Sequence, residues 1–106
     1  MSVDVATSIA RILKQEGIEW VSTFPVCRVN NALGREGVPM VMMRDDRYAV
    51  ALADAYSRVT AGTKIGVCTF QGGVNAAGMQ YAYAGIAQAF EDGSPVLCIT
   101  DGVPIG

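Results

Sequence analysis

The chain has 106 residues, 51% of them apolar, with a net charge of −2 and no histidine. One domain around one core is the natural size class. No basic stripe could neutralise phosphates, no cysteine or histidine spacing suits zinc, and no apolar run reaches the ~20 residues of a membrane span, so nucleic acid, a structural metal and the bilayer are set aside as partners.

In chain order, Ser2 is the expected cap of a first helix, with Val5, Ile9, Ile12 and Leu13 at helical spacing and Gly17 as the stop. Glu19 to Phe24 reads as a strand ended by Pro25. A second helix spans about Val29 to Arg35 and closes at Gly37, and Pro39 to Met43 is an apolar run of strand length. A third helix starts near Asp45 and runs to Thr60, with Gly62 just past its end. Ile65 to Phe70 is the next strand, and Gln71-Gly72-Gly73 breaks it. A fourth helix is expected from about Val74 to Phe90, capped between Gly73 and Asn75 and rich in small residues. Asp92-Gly93-Ser94 interrupts the chain before a last strand from Pro95 to Thr100.

Nearly continuous apolar strands alternating with helices imply a parallel sheet covered on both faces. The expected fold is therefore α/β, a three-layer α/β/α domain over residues 1–106 with a mainly parallel sheet of about four strands. A sequence that stops straight after a strand is expected to be a piece of a longer chain or one subunit of a split enzyme. The apolar surplus suggests burial against another domain or subunit. Tyr48, Met79 and Tyr83 are candidate anchors for such a partner, against the alternative that they complete the domain's own core. Cys27, Cys68 and Cys98 read as reduced core cysteines of a cytoplasmic protein, and the opening Met1-Ser2-Val3-Asp4 lacks the basic start of a signal peptide.

Ligands of open parallel sheets lie beyond the carboxyl ends of the strands. Phe24-Pro25-Val26-Cys27, Arg44-Asp45-Asp46-Arg47, Gln71-Gly72-Gly73-Val74-Asn75 and Asp101-Gly102 all fall there. Taken singly, each has an ordinary explanation. A glycine pair before a helix is turn chemistry, two aspartates at a helix start are caps, and flanking arginines are surface ion pairs. The glycine turn lacks the Lys-Ser/Thr of a Walker loop and the spaced glycines of a dinucleotide fingerprint. Without histidine, no Ser-His or Cys-His pair can form.

Taken together, the segments resemble the N-terminal, pyrimidine-binding domain of thiamine-diphosphate-dependent enzymes of the acetolactate synthase and 2-oxo acid decarboxylase family. "GIEWVSTFPV" is similar to the family's first strand and its proline loop. "MVMMRDDRYAVALADAYSRVTAG" is the most specific match, with Arg44, Ala49, Ala53, Asp54, Tyr56, Arg58 and Gly62 in register. "KIGVCTFQGG" resembles the next strand and glycine loop. "GIAQAFEDGSPVLCITDGVP" places Gly85, Ala87, Ala89, Asp92, Pro95, Ile99, Thr100 and Pro104 in register.

The resemblance implies a specific chemistry. The family's glutamate, third in its Arg-His-Glu run, hydrogen-bonds a pyrimidine ring nitrogen and promotes the imino tautomer, whose nitrogen deprotonates the thiazolium carbon. Asp46 stands at that position on a side chain one methylene shorter, a reach smaller by roughly 1–1.5 Å. The stretch from Gln71 to Gly85 is longer than the family's by about one helical turn, and its loop lacks the family's proline. The implied site comprises Asp46 as the catalytic carboxylate, with Pro25, Val26, Gln71, Gly72 and Gly73 as further contacts to the cofactor. Thiamine diphosphate is the implied cofactor, its pyrimidine half held here. Its diphosphate and Mg2+ would be held on a homo-oligomeric or companion subunit, with a small 2-oxo acid as substrate. Two alternatives stand beside this reading: a non-catalytic structural or assembly domain of the same fold, and an unrelated flavodoxin-like binding module.

Overall fold

A computed structural model describes residues 2–73 and 77–103. Four helices alternate with four strands: α1 Val5–Gln15, β1 Val21–Thr23, α2 Arg28–Arg35, β2 Met40–Met42, α3 Asp46–Val59, β3 Gly66–Phe70, α4 Gly78–Glu91 and β4 Val96–Thr100. The strands form one sheet in the order β2-β1-β3-β4, with every pairing parallel. The first cap differs from expectation. Asp4, not Ser2, caps α1, its carboxylate accepting the Thr7 N–H at 2.7 Å.

Period-two alternation along the sheet makes the three layers. Val21 and Val67 point to one face, where Ala10 and Leu13 of α1 and Val29, Ala32 and Leu33 of α2 cover them. Cys68 and Phe70 point to the other, under Ala49, Val50 and Ala53 of α3 and Ala82 of α4. On the first face Asn30 donates from Nδ2 to the Thr23 hydroxyl at 2.9 Å, and the Thr69 hydroxyl lies 2.7 Å from both Thr23 Oγ1 and Asn30 Oδ1. This satisfied polar cluster ties α2 to the ends of β1 and β3.

The run at Pro39 to Met43 is not a buried strand. β2 is the sheet edge, and Met40, Val41 and Met42 are all exposed. Apolar composition reports burial only where layers cover both faces, and at an edge the cover is incomplete. The fourth helix also starts later than expected, at Gly78 with Ala77 in the N-cap position and no side-chain cap. The expected start at Val74 and the cap as far as Asn75 lie outside the described residues. No helix among the described residues is long and apolar enough to cross a membrane.

The layers approach closely where side chains are missing. A Cβ on Gly66 would stand 1.9 Å from the Ala53 carbonyl oxygen, and one on Gly85 would stand 2.9 Å from Val50 Cβ. Beside Gly66, the buried Ser57 hydroxyl accepts the Gly66 N–H at 2.8 Å and faces the Pro95 carbonyl at 2.5 Å. It thereby joins α3 to the starts of β3 and β4. Ser57→Ala leaves both backbone groups without that partner, so urea denaturation should show a loss of about 1–3 kcal/mol.

Candidate functional site

Parallel pairing brings the carboxyl ends of all four strands to one rim. There the chain enters α3 through Arg44-Asp45-Asp46. Asp45 takes the extended backbone of an N-cap, and its carboxylate accepts the Tyr48 N–H at 2.9 Å. Asp46 occupies the first helical turn and turns inward, with only 4% of its surface exposed. Its Oδ1 is buried and has no hydrogen-bond partner among the described residues. A buried, unsatisfied carboxylate oxygen is costly. Native structures tolerate few of them, and those concentrate where a ligand or reaction uses the group.

Electrostatics agree with the geometry. Burial pushes the Asp46 carboxyl above the usual carboxylate range, more than its own backbone N–H holds it down, and the neighbouring Asp45 charge adds to the rise. The arginines that could have opposed this do not. Arg44 and Arg47 are exposed, and the Arg47 guanidinium lies 4.7 Å over the Tyr48 ring instead. Tyr48 is itself exposed, so its ring caps an arginine at the surface.

Gly78 sets the other wall. A Cβ there would lie 1.8 Å from the Gln71 carbonyl oxygen and 2.9 Å from Asp46 Oδ1. The first residue of α4 thus packs between the loop after β3 and the Asp46 carboxylate, which only a glycine permits. Gly72 is similarly confined, where a Cβ would meet the Thr100 hydroxyl at 2.3 Å and the Asp101 carbonyl at 2.7 Å. Gln71 and Asp46 are therefore brought together through Gly78, while Gly72 and Gly73 lean on the end of β4. Pro25 and Val26 lie exposed in the β1–α2 loop at the same rim, with no hydrogen bond to Asp46 among the described residues.

Two rim residues had only a weak signal in the sequence. Gly78 was one small residue among many in its helix, and nothing local marks its contact with Asp46. Asp101 receives the Arg28 N–H at 3.2 Å and lies 3.6 Å from the Cys27 sulfur, serving as the long-range cap of α2. Cys27, in the N-cap position, supplies no side-chain cap itself.

A hollow of about 750 Å³ opens at the opposite end of the sheet. It is lined by Ile12, Trp20, Tyr56, Lys64, Pro95 and Leu97, residues that precede or flank the amino ends of the strands. Size alone does not make it the site, because helix N-termini and loops that hold ligands in such sheets gather at the carboxyl ends. Among the described residues no group of three or more histidine, cysteine, aspartate or glutamate side chains could hold a metal ion.

The two aspartates are separable by experiment. Asp45→Ala should lower stability by about 0.5–2 kcal/mol through loss of the cap. Urea denaturation measures that loss.

No curated protein matches the chain significantly. A family described as "Thiamine pyrophosphate enzyme, N-terminal TPP binding domain" matches residues 3–106. That match covers all four strands, both walls of the rim and the inward-facing carboxylate, and with it the chain belongs to the family of N-terminal thiamine-pyrophosphate-binding domains.

Proposed function

We propose that the chain supplies the pyrimidine side of a thiamine-diphosphate site in a 2-oxo acid decarboxylase or carboligase of the acetolactate synthase type. Asp46 is the carboxylate that holds a proton at the pyrimidine ring nitrogen. The observation that supports this most is its buried Oδ1, which has no hydrogen-bond partner among the described residues. The residues fit such a group: a carboxyl with a raised pKa and an oxygen unpartnered among the described residues can share a proton with a ring nitrogen, and glycine at 78 sets no side chain against that oxygen. Pro25, Val26, Gln71, Gly72 and Gly73 line the rim around it and would orient the ring and exclude water. When bound, thiamine diphosphate supplies a carbon nucleophile and an electron sink for making or breaking the bond next to a 2-oxo group.

In this reading the diphosphate and its Mg2+ are held by a second chain or domain. Tyr48, Met79 and Tyr83 are all exposed, so they do not complete either core; Tyr48 lies two residues from Asp46, Met79 next to Gly78, and Tyr83 one turn further along α4. We assign that face to the partner. Thiamine diphosphate with Mg2+, titrated into the assembled protein, should bind saturably, and it should bind far more weakly to the chain alone. Sedimentation of the chain should show association at micromolar concentration. An assembled protein that does not bind the cofactor would make this a non-catalytic relative of the fold.

A further inference from the structure

Cys68 and Cys98 stand 30 residues apart in the chain, yet they are direct partners in the parallel register of β3 and β4. Both belong to the face packed under α3 and α4, and their sulfurs are 3.4 Å apart. Neighbouring strands lie about 4.8 Å apart. That falls within the roughly 4.4–6.8 Å Cα separation that a disulfide spans. A bond between them thus needs no rearrangement of the sheet.

We propose that Cys68 and Cys98 are a peroxide-reactive dithiol, with Cys98 the attacking sulfur and Cys68 the resolving one, which closes reversibly to a disulfide across β3 and β4. The roles follow from their surroundings. Cys68 is fully buried, whereas Cys98 is only partly so. The Cys68 thiol hydrogen-bonds the Cys98 sulfur, which draws the Cys98 pKa down against its own burial. The same bond, then burial, raises that of Cys68. The thiolate is the nucleophile, so the more accessible sulfur is also the better one.

The chemistry balances. The Cys98 thiolate attacks one oxygen of hydrogen peroxide, the O–O bond breaks, and the hydroxide leaves as water with the proton Cys98 released. Cys98 is then a sulfenic acid. Cys68 sulfur attacks the Cys98 sulfur, the S–O bond breaks, and the hydroxyl departs as water with the Cys68 proton. Two thiols lose two electrons in all, and one peroxide becomes two waters.

The pair also sits close to the rim. Thr100 lies two residues beyond Cys98 on the same face of β4, roughly 7 Å along the strand. Its hydroxyl is the atom that confines Gly72. Cys27 is an internal control. It lies in the core on the other face, and burial together with the nearby Asp101 carboxylate pushes its pKa up to about 11.

Hydrogen peroxide added to the folded full chain, followed by thiol titration after denaturation, is the test. The three free thiols of the chain should fall to one, a Cys68–Cys98 linked peptide should be found, and dithiothreitol should restore all three. Cys98→Ser should leave Cys68 reduced at the same peroxide dose. Cys68→Ser, with no resolving sulfur, should let Cys98 oxidise on to the sulfinic acid. If either variant fails to fold, the peptide map of the unaltered chain decides alone. A thiol count that stays at three, or bridges that run through Cys27 or between chains, would overturn the proposal.

Discussion

In the assembled enzyme, Asp46→Asn is expected to slow proton exchange at the thiazolium carbon by on the order of 10²–10⁴-fold, the usual worth of a positioned acid or base. The same change should raise the stability of the fold at neutral pH. Burial holds the Asp46 carboxyl above its ordinary value of 3.8. The folded state therefore binds this proton more tightly than the unfolded chain does. Below the unfolded pKa both states carry it and the group costs nothing through ionisation. As pH rises through the folded value, the buried carboxylate must ionise with no partner for its Oδ1 among the described residues, and stability falls. Asparagine stays neutral at every pH, so thermal unfolding should favour the variant at pH 7 and converge with the unaltered chain near pH 3. Asp46→Glu should retain exchange, since it keeps the carboxylate and restores the longer reach. Exchange unchanged in Asp46→Asn would remove this residue from the chemistry. An equal stability difference at both pH values would mean that burial does not raise the pKa of this carboxyl.

Gly78→Ala should damage the site and the fold together. The added Cβ would fall 1.8 Å from a backbone oxygen, that of Gln71, and 2.9 Å from Asp46 Oδ1. Backbone cannot yield as the tip of a flexible side chain can, so either α4 or the loop after β3 must move. Overpacking of this kind costs about 1–3 kcal/mol and at times more, although alanine is the better residue for a helix interior by roughly 1 kcal/mol. The sign thus distinguishes close packing from helix propensity. A stability loss in urea, accompanied by weaker thiamine diphosphate binding in the assembled protein, is expected. A more stable variant that binds the cofactor normally would show that α4 does not press against Asp46.

The opposed effects at these two positions follow from one arrangement. Sites that act on a ligand hold groups the fold alone would not choose. Asp46 is buried with its Oδ1 unpartnered among the described residues where asparagine would be easier to bury, and a helix begins on a glycine without a side-chain cap where alanine would suit its propensity better. Asp54, eight residues along the same helix, shows the contrast. Burial raises its carboxyl, but the Arg58 hydrogen bond at 2.8 Å, the nearby Ser94 hydroxyl and the Arg58 charge together more than offset this, and the pKa is lowered. Arg58 also reaches Asp92 at 2.7 Å, so that group braces α3 against the turn before β4.

Local patterns carried most of the architecture. The apolar periods of α1 to α3, the glycines at 17, 37 and 62 and the alternation of strands with helices were enough for a parallel three-layer fold, because periodicity and chain reversal are set by neighbouring residues. They were also enough to place Asp46 at a strand's carboxyl end and Asp45 at a helix start. Contacts between distant segments were not legible. That Pro39 to Met43 forms an edge depends on strand order, which no local pattern encodes. The cap of α2 comes from Asp101, 73 residues away, and two cysteines that look unrelated in the sequence face each other across β3 and β4. Asp46 could be read as either a cap or a catalytic acid. Tertiary packing gives the cap to Asp45 and buries Asp46 Oδ1 near Gly78 with no hydrogen-bond partner among the described residues, and only the folded chain brings residues 46 and 78 together.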